Sequence, residues 1–352
     1  ESVNALVPVL KAQGVETIIV LLHEGGTVPV SGNGAGSVTA INQCTNPGGA
    51  IPPIVTAMDD EVDVVVTGHT NWAVTCMIDG KVVTGAAHQG RLVTDIDLTI
   101  SRATKDVIPS LTRVNNVIVT RDVAKAPDLT ALVNKYKTLS APLANRVVGS
   151  VAADLLRANN AAGESALGDV IADAQLEATE GALFGGAKVA FMNPGGIRGD
   201  ILASTISGGE QVGEVTYGEL FTVQPFNNVM TVLTCTGTQI DALLEQQFKA
   251  APASNTILQV SDGFTYSWSA SAALGSKVDM ASIRIDGVAI SAGASYRVAM
   301  NNFLAGGGDG FSVFTQCTNP LGGEIDLDVL VNYFKAHSPV APGPQNRITR
   351  LS

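Results

Sequence analysis

Apolar residues recur at helical spacing over residues 2–13, where Val3, Leu6, Val7 and Leu10 share one face and predict an amphipathic helix. The continuous run Thr17-Ile18-Ile19-Val20-Leu21-Leu22 predicts a buried strand that stops at His23-Glu24-Gly25-Gly26. Residues 51–58 read as a short helix, and Val62-Asp63-Val64-Val65-Val66-Thr67 as a second buried strand, which stops at Gly68-His69-Thr70-Asn71. Between these elements, residues 28–53 form a Gly/Asn/Pro-rich excursion expected on the surface. The period then changes to two. Residues 74–78, 81–84 and 91–100 predict antiparallel strands, with Asp79-Gly80 as a hairpin turn.

Residues 122–145 differ in character: Pro127-Asp128 opens a helix through Leu129, Leu132, Val133 and Tyr136, with Pro142 near its end. This segment reads as a connector between domains spanning residues 1–121 and 146–352. The second domain begins with a strand at 146–151, then a helix capped by Ser165 that carries Leu167, Val170, Ile171 and Ala174 on one face. A buried strand at 188–192 runs into Asn193-Pro194-Gly195-Gly196-Ile197-Arg198-Gly199-Asp200. Residues 217–221 lead into Val223-Gln224-Pro225-Phe226-Asn227-Asn228 and a strand at 229–235. Thr238 with Asp241 predicts the cap of a helix bearing Ile240, Leu243, Leu244 and Phe248. Strands at 264–268, 282–285 and 296–300 follow, the last delivering Asn301-Asn302-Phe303-Leu304-Ala305-Gly306-Gly307-Gly308-Asp309-Gly310-Phe311. Asp326 is expected to cap a closing helix through Leu330 and Phe334. Helix-to-strand alternation interrupted by antiparallel runs predicts a mixed α/β and α+β chain.

Composition narrows the class of partner. The 352 residues suffice for two domains, and 45% hydrophobic with 15% charged residues describes a folded protein. A formal charge of −11 without a basic run disfavours nucleic-acid polymers and anionic membranes. No apolar run approaches the roughly 20 residues of a membrane span. The chain starts at Glu1 without a leader, so any signal peptide is expected to be removed or to lie outside it. Cys44, Cys76, Cys235 and Cys317 fall two in each half; pairing within halves gives Cys44–Cys76 and Cys235–Cys317, one of three connectivities, against four free thiols. The low-Lys, Gly/Ser/Thr-rich composition favours disulfides and a secreted, extracellular, cell-surface or periplasmic location.

The candidate chemistry lies where strands stop. His23 and His69 each follow a predicted buried strand, and open α/β sheets gather ligands at the carboxyl ends of their strands. With Asn71 they suit Zn, Mn or Fe, although two histidines and an amide fill neither a catalytic zinc site nor a two-metal site, which needs a bridging carboxylate. Glu24, Asp59, Asp60 and Asp63 lack the strand-end spacing. In the second half, Arg198 offers a planar fork for phosphate or carboxylate, and Asn193 donates and accepts. Phe226 and Phe303 sit beside asparagines on separate loops and could sandwich a flat ring; the alternative is ordinary core packing. Asp309, among glycines, could accept from two adjacent hydroxyls; the alternative is a simple turn. The loop ends in neither the Gly-Lys-Ser/Thr of a P-loop nor a Rossmann turn.

Together these motifs resemble the 5′-nucleotidase family. Leu21-Leu22-His23-Glu24-Gly25 and Gly68-His69-Thr70-Asn71 are similar to its metal-binding loops, and Asn193-Pro194-Gly195-Gly196-Ile197-Arg198, Gln224-Pro225-Phe226-Asn227 and Asn302-Phe303 through Asp309-Gly310 to its nucleotide-binding loops. The resemblance implies the carboxy-terminal half of a four-layer αββα metallophosphoesterase domain, a connecting helix, and a mixed α/β nucleotide-binding domain. It implies two divalent metals, with His23 and His69 on one and Asn71 on the other. It also implies a base between Phe226 and Phe303, a ribose on Asp309, and Arg198 with Asn193 reaching the nucleotide. The family's Asp-x-His, bridging Asp and Asn-His pair, which includes the catalytic histidine, have no counterpart and are expected upstream of Glu1, in an amino-terminal segment of the same protein. The expected activity is therefore metal-dependent hydrolysis of nucleotide phosphoesters, with this chain alone inactive. Gly163-Glu164-Ser165 stands where some members carry a phosphate-facing arginine, which leaves cyclic nucleotides and nucleotide sugars open as substrates. A non-catalytic nucleoside-binding or surface module is the alternative.

Overall fold

The computed structural model describes residues 1–27, 41–250 and 255–351, so residues 28–40 of the predicted excursion lie outside the described part. The chain divides into two compact units, Glu1–Ala126 and Pro127–Ser352.

In the first unit, helix α1 (Ser2–Ala12) precedes strands β1 (Ile19–Leu22) and β2 (Gly26–Thr27). Strand β3 (Gly48–Gly49) pairs with β2, helix α2 is Ile51–Thr56, and β4 (Val64–Thr67), β5 (Ala73–Ile78) and β6 (Lys81–Ala86) complete a four-stranded sheet ordered β1-β4-β6-β5. β1, β4 and β6 are parallel, with Ile19 opposite Val64 and Val64 opposite Val82; only β5 runs against them. Val7, Ile51, Val55, Val65, Trp72, Val74 and Val83 form the core of this unit. β1 is not the buried strand its apolar run predicts. Among the described residues it pairs on one side only, and alternate residues Ile19 and Leu21 are 51% and 80% exposed. Leu6 of α1 is exposed for a similar reason, because the helix buries Val7 and leans on Val3 and Leu10 instead. Strands β7 (Leu92–Asp97) and β8 (Arg113–Ile118) form a separate antiparallel ladder; β8, with Asn115 and Asn116 at its centre, was not expected from its pattern. Cys44 and Cys76 are joined, tying the segment before α2 to β5.

The second unit begins with α3 (Pro127–Ala144), which buries none of its residues and leaves Leu129, Leu132, Val133 and Tyr136 exposed. After β9 (Val147–Ser150), α4 (Ala166–Glu180) starts at Ser165, whose hydroxyl accepts the Gly168 N–H. Strand β10 (Val189–Met192) is buried throughout, and its alternate residues serve two cores: Val189 and Phe191 face Phe264, Tyr266 and Phe314, whereas Ala190 and Met192 face Leu167, Ile171, Leu330 and Phe334. Strand β11 (Glu214–Thr216) pairs with β9, and a complete capping box between Thr216 and Glu219 opens α5 (Tyr217–Val223). Strand β12 (Val229–Thr236) leads to α6 (Gly237–Glu245), which is capped by Thr236 with Gln239 and not by Thr238 with Asp241. Phe248 lies beyond that helix and packs on Trp268, ring centroids 5.0 Å apart.

Strands β13 (Gln259–Val260), β14 (Phe264–Ser269), β15 (Arg284–Ile285) and β16 (Val288–Ala289) precede β17 (Ser295–Asn301), short helix α7 (Asn302–Ala305) and β18 (Thr318–Ile325). The main sheet is ordered β13-β10-β17-β12-β18. Helix α8 (Asp326–His337) has Ile325 as its N-cap, so Asp326 is its first residue and not its cap, and β19 (Ile348–Leu351) pairs with β14. Cys235 and Cys317 are joined. Among the described residues no helix is long and apolar enough to cross a membrane.

Candidate functional site

Strand direction gathers the second unit's candidate residues. β10 and β17 are parallel neighbours, with Phe191 opposite Met300, so the loops that follow them leave the same edge of the sheet. β12 runs antiparallel to β17, with Met230 opposite Asn301, so the Phe226 loop enters at that edge too. Asn193 follows β10, Asp309 lies beyond β17, and the two meet: Asn193 Nδ2 donates to Asp309 Oδ2 at 2.8 Å. Asn193 is buried, and its Oδ1 accepts from Asn301 Nδ2 at 3.0 Å. Arg198 donates through Nη1 to the Gly195 carbonyl at 3.1 Å, and its guanidinium carbon lies 5.5 Å from the Phe226 ring centroid.

The two loop aromatics are not core residues. Phe226 is 51% and Phe303 44% exposed, whereas Phe311, a few positions along the same loop, is fully buried. Phe303 lies against the backbone of Gly308, where a Cβ would fall 2.4 Å from ring atom Cε1, so any side chain there would displace the ring. Asp309 has φ 56°, a left-handed conformation that Asp tolerates better than most residues. Beneath the loops, the Met192 sulfur meets Gln175 Nε2 at 3.4 Å, Asn301 Nδ2 at 3.6 Å and Gln224 Nε2 at 4.0 Å, in a buried carboxamide cluster. Sequence reasoning assigned no role to Asn301 or Gln175 and named Gln224 only as the first residue of the Gln224-Pro225-Phe226-Asn227 loop. For Asn301, a polar residue at the end of an apolar strand was the signal available; Gln175, inside α4, and Gln224, just after α5, carry no such signal.

The first unit brings His23 and His69 together by the same topology, since β1 and β4 are parallel neighbours. Their rings stand edge to face with centroids 5.3 Å apart, and His69 and Asn71 both have φ 58°. All three side chains are exposed. No nearby carboxylate completes a ligand set: Glu24 Oε1 accepts the Gly25 N–H at 2.8 Å, Asp63 Oδ2 accepts the Ile18 N–H at 2.8 Å, and among the described residues no group of three His, Cys, Asp or Glu could hold a metal ion. Two imidazoles and an amide do not fit the pair of divalent metals that the motifs imply.

Residues 147–316 match the family model described as 5′-nucleotidase, C-terminal domain. Over this stretch the chain is similar to the carboxy-terminal domain of 5′-nucleotidases. Asn193, Arg198, Phe226, Phe303 and Asp309 lie inside the matched stretch; His23, His69 and Asn71 lie outside it. The chain is 30% identical to the endonuclease YhcR of Bacillus subtilis, over 99% of this chain and 26% of that protein. It is 28% identical to the trifunctional nucleotide phosphoesterase protein YfkN of the same organism, over 82% of this chain and 20% of that protein. The chain thus spans about a quarter or less of the length of these relatives. Among solved structures, the 5′-nucleotidase precursor from Thermus thermophilus aligns with TM-score 0.67 and 25% identity, over 99% of this chain and 66% of that one.

Proposed function

We propose that the second unit binds a nucleotide or nucleoside and that the intact protein hydrolyses nucleotide phosphoesters to nucleoside and phosphate. The observation that carries this reading is the convergence of loop residues with complementary chemistry on one sheet edge: Asp309 held by Asn193, and Arg198 beside the exposed ring of Phe226. Phe226 and Phe303 take the faces of the base, Asp309 accepts from the ribose hydroxyls, and Arg198 meets the phosphate. The similarity of residues 147–316 to the 5′-nucleotidase carboxy-terminal domain supports phosphoester chemistry at this level.

Two divalent metals, Zn, Mn or similar, belong to the proposal for the intact protein only. His23, His69 and Asn71 are candidate ligands, and we assign the missing carboxylates and the catalytic histidine to a segment outside this chain. The outer edge of β1, unpaired among the described residues and with Leu21 80% exposed, offers such a segment a place to pack. Two disulfides suit a secreted or cell-surface setting.

A nucleotide sugar or cyclic nucleotide is the second reading. It draws on Glu164, which is buried and takes the backbone N–H groups of Arg347 and Ile348, so that the Gly163-Glu164-Ser165 segment offers the site no guanidinium. Calorimetric titration of Arg198→Ala with AMP and with adenosine tests the primary reading. AMP binding is expected to weaken about tenfold, the loss of one charge-assisted contact, and adenosine binding less than about twofold. An equal loss for both ligands removes Arg198 from the phosphate.

A further inference from the structure

Asn301, the last residue of β17, belongs to no motif of the site, yet it is buried beneath the nucleotide loops. Its Oδ1 accepts the Leu304 N–H at 2.9 Å and so caps α7, while its Nδ2 donates to Asn193 Oδ1 at 3.0 Å. A backbone N–H can only donate, so Leu304 fixes which end of the Asn301 amide is the acceptor. The NH2 end is then the one facing Asn193. Asn193 inherits a fixed orientation in turn: its carbonyl is occupied by Asn301, and its Nδ2 donates to Asp309 Oδ2 at 2.8 Å. A flipped Asn193 would set its carbonyl oxygen against a carboxylate and its NH2 against another NH2. Hydrogen-bond polarity therefore runs from the backbone of α7 through two amides to a carboxylate.

Asp309 depends on such a partner. It stands between Gly308 and Gly310 at positive φ, in a one-turn segment that does not itself fix the side chain. We propose that Asn301 is the positioning residue of a vicinal-diol subsite: by orienting Asn193 it holds Asp309 Oδ2, and it leaves Oδ1, which meets no donor among the described residues, to accept from the hydroxyls of a ribose. This rests on the nucleoside reading given above and adds to it a selection for ribonucleosides over their deoxy counterparts.

The test uses the 352-residue chain. Asn301→Ser keeps a competent helix cap but is too short to reach Asn193. Adenosine binding is expected to weaken about tenfold and 2′,3′-dideoxyadenosine binding less than about twofold, the loss of one or two hydrogen bonds to a charged group. In parallel, the Asn193 side-chain amide, slow to exchange with solvent in the unsubstituted chain, exchanges rapidly in the variant by NMR. Asn301→Asp, which turns an oxygen toward Asn193 Oδ1, gives at least the same loss. Equal weakening of both nucleosides, or an unchanged Asn193 amide, overturns the proposal. If the amide responds but the unsubstituted chain binds neither nucleoside, the nucleoside reading fails and the ribose role falls with it.

Discussion

The histidine pair of the first unit and the nucleotide loops of the second are built on one plan, residues delivered at the carboxyl ends of adjacent parallel strands, but they differ in what lies beneath them. β10 is buried on both faces, and Asn193 and Asn301 are buried under its loop with their amides partnered. β1 is an edge strand with Leu21 in the open, and the carboxylate next to His23 is turned back on Gly25. Strand-end chemistry becomes a site only where a packed layer fixes the side chains, since unsupported loop residues lose orientation to rotamer freedom.

The largest expected effect in either unit is the loss of its disulfide. Cys235–Cys317 closes a loop with a separation of 82 residues and Cys44–Cys76 one of 32. Chain-entropy arguments give about 4.5 kcal/mol for the first and about 3.7 kcal/mol for the second. Separate Cys→Ser pairs, followed by denaturant unfolding, should therefore destabilise the second unit more; a reversed order would show that native packing, not loop length, sets the cost.

Next comes Asp169, at the start of α4. It is buried, neither of its oxygens meets a donor among the described residues, and burial pushes its pKa from 3.8 up to about 8, opposed by Arg347 and reinforced by Glu164 and Asp173. Because the folded state then binds a proton that the unfolded state releases above its ordinary value, this stability is complete below about pH 4 and is lost as pH rises towards 8. The loss should amount to roughly 2–4 kcal/mol of the second unit's stability. Asp169→Asn should flatten the pH dependence over that window. An unchanged slope would place the titration elsewhere.

Much of this was legible in the residues. A four-residue apolar run such as Val189–Met192 has no polar face to show water, so its double burial could be read directly. The Ser165 cap was equally plain. The run at β1 has the same pattern but a different fate, because burial of its second face requires a neighbour that sequence does not reveal. β18, which spells Thr-Asn-Pro-Leu-Gly-Gly-Glu-Ile, reads as a loop and becomes a strand because β12 offers it an open edge. The α6 cap was misplaced by two residues because Thr236 and Thr238 both fit the capping spacing, and the end of β12 decides between them. Among site residues, loop aromatics and an arginine beside glycines stand out, whereas Asn301 is one asparagine of two and is distinguished only by its burial.

The smallest expected effect lies at the histidine pair itself. His23 and His69 are exposed and contact each other by ring edges, so His23→Ala with His69→Ala removes little burial and should change stability by less than about 0.5 kcal/mol. Adding Zn or Mn to the unsubstituted chain should leave adenosine affinity within about twofold, because at least one protein ligand is wanting for a catalytic metal site. Phosphate release from AMP should stay at background with or without the metal, and the histidine substitutions should not alter it. Robust metal-dependent release by this chain, abolished by the histidine substitutions, would mean that the pair assembles a working centre without further carboxylates. The difference between the two sheet edges would then lie in ligand-induced order and not in missing residues.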